Sequence, residues 1–234
     1  MKKLIQASDV KKLVKSHDQL LVGGFGLSGT PLTVLDGLLE AKIEGLSVVS
    51  NNLGDSGQGL HKLFIQGKIK KAIGSFFTTN KEAVQAWQRG ELEIELLPQG
   101  TLAEAIRAGG AGIGGFYTRT AVGTELAEGK EERVIDGERF IFEKAIKGDV
   151  ALIKAKQADT LGNLTYHTTA RNFNPMMATA AKIVIAEVEE IVEAGELDPE
   201  SIVTPHAYVD YIVKSEHQKE GRNYIVTEQK ASNS

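Results

Sequence analysis

The chain has 234 residues, of which 41% are hydrophobic and 25% are charged, and its net charge at pH 7 is -4. This composition is typical of a globular protein with an ample core, and the charge gives no basic surface for nucleic acid. The chain contains no cysteine, which excludes disulfides, thiolate catalysis and cysteine-ligated zinc and favours a reducing, cytoplasmic compartment. We expect neither a signal peptide in residues 1–6, which turn polar early, nor a membrane helix, which needs ~20 apolar residues.

The first half of the chain alternates short apolar runs with amphipathic segments. Strands are predicted at residues 20–22, 46–50, 69–75 and 92–97, and helices from Ser8, from Thr30-Pro31, over 60–66 and over 81–89. A capping box is predicted at residues 101–104, which would leave Gln99 and Gly100 on a strand-to-helix turn. The alternation predicts an α/β fold with a mostly parallel sheet flanked by helices. Ligands of such sheets bind at the carboxyl ends of the strands.

The second half predicts a smaller mixed-β subregion. The turn Asp136-Gly137 predicts a hairpin, further strands are predicted at residues 150–154, 183–188 and 208–213, and a helix over 176–181. The run 108–118 is too rich in glycine to predict a regular element, and its composition fits a flexible lid or a close-packed backbone crossing equally well. No linker divides the chain, so we predict a single domain over residues 1–234, with 214–234 as a loose C-terminal tail.

The most informative segment is a loop with four glycines between an apolar strand and Pro31. Its residues are Gly23, Gly24, Phe25, Gly26, Leu27, Ser28 and Gly29, called the glycine loop below. A loop of this kind is expected to expose backbone N–H groups at a helix N-terminus and to suit an anion, although a tight turn without a ligand is the plain alternative.

Neither a nucleotide cofactor nor a metal is predicted. The glycine loop matches G-x-G-x-x-G, but Ser50-Asn51-Asn52 stands where a dinucleotide site needs an acid, and no Walker Gly-Lys-Ser/Thr follows. The five histidines lack metal-ligand spacing, and most of them are expected at the surface. Gln99 is either a solvated turn residue or a neutral donor for a developing oxyanion. In residues 170–175, the cation Arg171 stands beside the amides of Asn172 and Asn174. The segment is either an anion contact or an ordered turn capped by asparagine.

Several short segments recur in the order of a known family. They are Gly23-Gly24-Phe25 with Gly29 and Pro31, Val49-Ser50-Asn51-Asn52, Leu97-Pro98-Gln99-Gly100-Thr101-Leu102, Arg107-Ala108-Gly109-Gly110-Ala111-Gly112, Gly115-Phe116-Tyr117-Thr118, Ala170-Arg171-Asn172-Phe173-Asn174-Pro175 and Glu190-Ile191-Val192-Glu193-Ala194-Gly195. Together, over residues 20–213, they resemble the A (alpha) subunit of the family I CoA-transferases, nearest to the 3-oxoacid and acetate/acetoacetate enzymes. Ser16-His17, Arg119 and Ala121 depart from the family pattern, and the last two leave the substrate open.

The resemblance implies a reaction and a division of labour. CoA moves from a short acyl-CoA, such as succinyl-CoA or acetyl-CoA, to a 3-oxoacid or short fatty acid such as acetoacetate, through a glutamyl-CoA thioester. The resemblance places the nucleophilic glutamate in a partner B (beta) subunit of an A2B2 heterotetramer, and no Glu-x-Gly-x-Gly occurs in this chain. By resemblance, Gln99 helps to form the oxyanion hole, Asn51 and Asn52 line the acyl pocket, and the glycine loop is associated with coenzyme A. The alternative is a stand-alone sugar-phosphate isomerase-like or ligand-binding module.

Overall fold

The computed structural model describes residues 3–217. The strands are β1 (Leu4–Ile5), β2 (Gln19–Val22), β3 (Leu46–Val49), β4 (Ile69–Gly74), β5 (Glu93–Leu96), β6 (Gly115–Thr118), β7 (Glu132–Ile135), β8 (Glu138–Lys144), β9 (Gly148–Asp159), β10 (Leu164–Thr165), β11 (Ala181–Val192) and β12 (Tyr211–Lys214). The α-helices are α1 (Leu32–Asp36), α2 (Leu60–Ile65), α3 (Lys81–Gln88), α4 (Gln99–Gly110) and α5 (Asn174–Thr179). Short 3-10 helices cover Ala7–Lys12, Glu125–Ala127, Thr168–Arg171, Pro199–Ser201 and His206–Tyr208. None of the helices within residues 3–217 is long and apolar enough to cross a membrane.

A nine-stranded sheet forms the centre of the fold, in the order β1-β12-β11-β9-β2-β3-β4-β5, with β10 paired to β9. Every pair along that order is parallel, and only the pairing of β10 with β9 is antiparallel. In β2, Leu20 and Val22 belong to one buried apolar cluster and Leu21 to another, so both faces of the sheet are covered. The predicted α/β class with a mostly parallel sheet is therefore confirmed, and its physical cause is the strand that is apolar on both sides.

The smaller β region is a three-stranded sheet in the order β6-β8-β7, and it is antiparallel rather than mixed. The strands predicted at 150–154, 183–188 and 208–213 do not belong to it, because they join the main sheet as β9, β11 and β12. The hairpin between β7 and β8 turns at Asp136 and Gly137, whose φ angles are 51° and 80°. Positive φ at both central residues defines the two-residue turn that the Asp-Gly pair predicts, so that hairpin is confirmed.

Helix α4 corrects the prediction of a capping box. The helix begins at Gln99, directly after Pro98, and the N–H of Leu102 donates its first bond to the Pro98 carbonyl oxygen at 2.9 Å. Glu104 pairs with the Arg107 side chain, and the Thr101 hydroxyl is buried without a partner among the described residues. Proline presets its own φ, so the helix starts at Gln99, three residues earlier than the Thr-x-x-Glu pattern indicates.

The glycine-dense run 108–118 is regular at both ends, so the prediction of no regular element is wrong. Helix α4 includes Gly109 and Gly110, and β6 begins at Gly115. A Cβ on Gly109 would lie 1.9 Å from the carbonyl oxygen of Ile146, and one on Gly110 would lie 2.0 Å from Thr179 Oγ1. These glycines allow the helix to approach its neighbours closely, which composition alone does not reveal.

The end of the described chain returns to the sheet. Strand β12 begins at Tyr211 and includes Lys214, after a 3-10 turn at His206–Tyr208. The Ser215 hydroxyl donates to Glu187 Oε1 at 2.7 Å, and the N–H of Glu216 donates to Thr33 Oγ1 at 3.0 Å. The first residues of the predicted tail are thus held by polar groups of the core, whereas its remainder, residues 218–234, lies outside the described residues.

Candidate functional site

Four adjacent parallel strands end at the same edge of the sheet. The glycine loop follows β2, Asn51 and Asn52 follow β3, Ser75 follows β4, and Gln99 comes shortly after β5. Neighbouring strands lie about 4.8 Å apart, so the ends of β2, β3, β4 and β5 together span roughly 15 Å. This carboxyl edge carries all the site residues predicted from the sequence.

A small depression lies at this edge, between the glycine loop and the loop after β3. Its walls are made by Gly23, Gly24, Gly26, Thr30, Ser50, Asn51, Asn52, Gly54 and Leu60. The fold therefore brings the glycine loop together with both asparagines. None of the lining residues is ionisable, so the depression offers only neutral amide, hydroxyl and backbone groups to a ligand.

The backbone N–H groups of the glycine loop are mostly occupied. Those of Gly23 and Phe25 donate to the carbonyl oxygens of Leu152 and Ser28, at 2.9 Å each. Those of Gly24 and Gly26 donate to side-chain oxygens of asparagines, at 3.2 and 3.3 Å. The N–H groups of Leu27 and Gly29 have no acceptor among residues 3–217. The expectation of a loop with exposed N–H groups is therefore wrong for most of its length.

The N-terminus of α1 is also occupied, by the buried carboxylate of Glu187, which is 0% exposed. The N–H groups of Thr33 and Val34 donate to Glu187 Oε2 at 2.8 and 3.2 Å. Lys154 Nζ and the Ser215 hydroxyl approach Oε1 at 3.3 and 2.7 Å. An internal anion thus takes the place that a phosphate would need at this helix end.

Two asparagines from the segment before α5 hold the glycine loop in place. Asn172 Oδ1 accepts from the N–H of Gly24, and its Nδ2 donates to the Ser28 carbonyl oxygen at 3.0 Å. Asn174 Nδ2 donates to the Gly29 carbonyl oxygen at 3.0 Å. These amides therefore have a structural role at the glycine loop. The sequence did not predict that they contact this loop, and the only sequence signal for a structural role was the occurrence of two asparagines before a proline.

The cation of the same segment, Arg171, is exposed and makes no ion pair within the described residues. Nearby, burial raises the pKa of Tyr166 to about 12, and the favourable charge of Arg171 and the bond to Thr204 only partly offset this effect. Tyr166 is therefore neutral at physiological pH, and its hydroxyl lies 2.7 Å from Thr204 Oγ1. Tyr166 and Thr204 therefore form a neutral hydrogen-bonded pair, and the charge of this segment is that of the exposed Arg171.

Asn51 connects the ends of three strands. Its Oδ1 lies 3.3 Å from the N–H of Gly26 and 3.3 Å from Asn52 Nδ2, and its Nδ2 donates to Ser75 Oγ at 3.0 Å. Asn52 Oδ1 accepts from the N–H of Gly54 at 2.8 Å. Asn51 is buried and Asn52 is half-buried, so Asn51 orders the site and Asn52 presents its side chain at the wall of the depression.

Gln99 lies apart from this depression. It is the exposed first residue of α4, beyond the edge strand β5, and it does not line the cavity. The ends of β3 and β5 are separated by two strand spacings, about 10 Å. Within the described part of the chain no group hydrogen-bonds its side-chain amide, which leaves both donors available at the surface.

No cluster of three or more histidine and carboxylate side chains that could hold a metal occurs within residues 3–217. Four of the five histidines are exposed, as expected for most of them, whereas His61 is buried. Its Nδ1 accepts from the N–H of Gly57 at 3.0 Å, and its Nε2 contacts Glu82. His61 therefore anchors the loop after β3 that carries Gly54, a lining residue.

Comparison with known proteins agrees with this architecture. Residues 3–215 match the family model described as coenzyme A transferase. The A subunit of a probable succinyl-CoA:3-ketoacid coenzyme A transferase of Bacillus subtilis is 51% identical over 93% of this chain and 92% of that protein. The alpha subunit of the acetate CoA-transferase of Escherichia coli is 43% identical over 93% of this chain and 99% of that protein.

A solved acyl-CoA transferase of Escherichia coli O157:H7, described as a thioester complex with CoA, has the same fold. It superposes with a TM-score of 0.80 at 20% identity, over 91% of this chain and 47% of that chain. This chain thus spans about half the length of that protein.

The α/β fold, the family model and the relatives together define a subunit of a CoA-transferase. The chain belongs to the coenzyme A transferase family. The family resemblance inferred from the short segments is therefore confirmed, and so is the expectation of an enzyme that transfers coenzyme A.

Proposed function

We propose that this chain is the A (alpha) subunit of a CoA-transferase that moves CoA from a short acyl-CoA to a 3-oxoacid or short fatty acid. Succinyl-CoA and acetyl-CoA are the proposed donors, and acetoacetate is the proposed acceptor. Relatives named for succinyl-CoA with 3-ketoacids and for acetate, at 51% and 43% identity, support this choice.

In the proposed reaction, CoA is transferred through a covalent thioester on the side chain of a glutamate. A glutamate of the partner attacks the thioester carbonyl of the donor, which releases the CoA thiolate and leaves a mixed anhydride. The thiolate then attacks the glutamyl carbonyl of that anhydride, and the donor acid leaves as a carboxylate. The acceptor carboxylate reverses both steps and takes up CoA from the glutamyl thioester.

The observation that carries the proposal is the absence of any acid among the residues that line the depression. The reaction needs a carboxylate nucleophile, and this chain offers amides, hydroxyls and glycines where its strands end. A partner B subunit that brings the glutamate to this edge would complete the site, and we propose an A2B2 assembly.

We propose three roles at the carboxyl edge. Gln99 donates to the oxyanion, and the support is that its side-chain amide, at a helix start, has no hydrogen-bond partner within residues 3–217. Asn51 and Asn52 form the acyl pocket, since both line the depression. The glycine loop contacts coenzyme A, with Phe25, 47% exposed, at its tip.

The absence of a metal and the cytoplasmic location stay predictions from the sequence.

The alternative of a sugar-phosphate or ligand-binding module is not favoured. It would use the glycine loop and the start of α1 as a phosphate site, but Glu187 already occupies that helix end. Most N–H groups of the loop have internal acceptors as well.

Co-expression of this chain with a candidate B subunit tests the proposal. The purified complex is assayed with a panel of acyl-CoA donors and acetoacetate, and CoA transfer is followed by the appearance of acetoacetyl-CoA. The chain alone serves as the control and should be inactive. Transfer at a normal rate by the chain alone would refute the proposed division of labour.

A further inference from the structure

Ser75 is the residue that the fourth strand end contributes to the carboxyl edge, and no sequence motif indicated it. It directly follows β4, and the N–H groups of Ser75 and Phe76 both donate to the Asn51 carbonyl oxygen, at 3.2 and 3.0 Å. The preceding residue, Gly74, accepts from the N–H of Leu97 at 2.9 Å. Ser75 therefore lies between the end of β3 at Asn51 and the turn that leads to α4.

The backbone around Ser75 is closely packed. A Cβ on Gly74 would lie 2.4 Å from the carbonyl oxygen of Ser50 and 2.7 Å from Cζ of Phe77. Ser75 itself is half-buried, so its short side chain has a defined place and still reaches the surface of the edge.

The hydrogen bonds around Asn51 determine what the Ser75 hydroxyl can do. The N–H of Gly26 can only donate, so the atom of Asn51 that faces it must be Oδ1, and Nδ2 must then face Ser75 Oγ. Ser75 Oγ is therefore an acceptor in this contact. A hydroxyl also carries one proton to donate, and no acceptor for that proton occurs among the described residues.

We propose that the Ser75 hydroxyl donates a hydrogen bond to the acyl oxygen of the substrate and stabilises the oxyanion that forms there. The proposal rests on the proposed function, because it assumes acyl transfer at this edge. The Asn51 amide orients the hydroxyl, and Gln99 stands at the next strand end. A neutral hydrogen-bond donor that is fixed in place stabilises the negative charge that develops on the acyl oxygen in the transition state. It binds the carboxylate of the substrate less tightly than a cation would, so the ground state is not stabilised to the same extent.

The test uses the assembled complex of this chain with its B subunit. The main variant is Ser75→Ala, and Ser75→Thr keeps a hydroxyl at the same place. Ser201→Ala is the matched control, because that hydroxyl is exposed, donates to the Asp198 carbonyl oxygen, and follows β11 rather than one of the strands β2 to β5. For each complex, kcat and KM for both substrates are measured with the Tm and the yield of co-purified B subunit.

We expect Ser75→Ala to lower kcat by about 100-fold, the usual effect of losing one oxyanion donor, with little change in KM. Ser75→Thr should recover most of the turnover, and Ser201→Ala should behave as wild type. Wild-type turnover in Ser75→Ala, or a loss confined to KM, would overturn the proposal.

A double mutant separates direct action from support of Asn51. If Ser75 acts on the substrate, Ser75→Ala should still lower kcat in a complex that already carries Asn51→Ala, although by less than in wild type, because the hydroxyl then lacks the amide that orients it. If it only holds Asn51, the second substitution should have no further effect, and the proposal is wrong. Activity of the wild-type complex tests the proposed function, whereas the ratios of variant to wild type test Ser75 alone.

Discussion

The packing of Gly23 against Asn174 allows a coupling between two substitutions to be predicted. A Cβ on Gly23 would lie 1.7 Å from Asn174 Oδ1, and the three nearest atoms it would meet all belong to that side chain. The φ angle of Gly23 lies outside the left-handed region, so alanine is compatible with its backbone. Among the described residues, the nearest obstacle to Gly23→Ala is therefore the buried amide of Asn174.

Each single substitution should reduce stability. Asn174 is 0% exposed and is the hydrogen-bond partner of the N–H of Lys154 and of the carbonyl oxygens of Gly29 and Ala170. An unsatisfied buried group costs about 1–3 kcal/mol, so Asn174→Ala should lower the free energy of unfolding by roughly 3–5 kcal/mol. Overpacking by Gly23→Ala should cost about 1–3 kcal/mol.

In the Asn174→Ala background the obstacle is gone, and Gly23→Ala should cost almost nothing. The coupling energy is then about 2 kcal/mol, which corresponds to a Tm difference of roughly 4–8 °C for a chain of this size. Urea unfolding and thermal unfolding of wild type, both single variants and the double variant measure it. If the two destabilisations simply add, the close approach of these residues is not what requires glycine at position 23.

Three further predictions concern other parts of the chain. In the assembled complex, Gln99→Ala should lower kcat by about 100- to 1000-fold. Gln85→Ala, which changes an exposed glutamine on α3, is the control and should leave kcat unchanged. Unchanged kcat in the Gln99→Ala complex would exclude Gln99 from the oxyanion site. Glu187→Gln should cost about 3 kcal/mol of unfolding free energy, because it leaves the half-buried Lys154 ammonium without its carboxylate. Glu190→Gln on the exposed part of β11 should be nearly neutral, and equal urea midpoints for the two variants would refute this prediction. Burial raises the pKa of Asp159, but hydrogen bonds from one side-chain amide and three backbone N–H groups outweigh burial, and the net pKa is lowered. The ionised carboxylate of Asp159 should therefore stabilise the fold above the unfolded-state pKa of about 3.9, and this stabilisation should be lost as the pH falls through the lower folded-state pKa. Asp159→Asn should remove this acid dependence from the unfolding free energy, and an unchanged pH profile would contradict the assignment.

The sequence by itself determined the class of fold and the family. Apolar runs of strand length separated by amphipathic segments predicted the parallel sheet, since a strand buried on both faces must be apolar throughout. The Asp136-Gly137 pair predicted its hairpin because only such residues adopt positive φ without strain. The rule that ligands bind at carboxyl ends then predicted which loops would meet.

Only the tertiary structure decided what those loops can do. The bond from Asn174 to Gly29 joins residues 145 positions apart, and Glu187 reaches the N–H of Thr33 over 154 positions. Local periodicity carries no information on such pairs, so the sequence could not reveal that the N–H groups of the glycine loop were already taken. Whether the proton of the Ser75 hydroxyl has an acceptor within residues 3–217 depends in the same way on which atom of Asn51 faces Gly26. That orientation is fixed only when β2, β3 and β4 lie side by side.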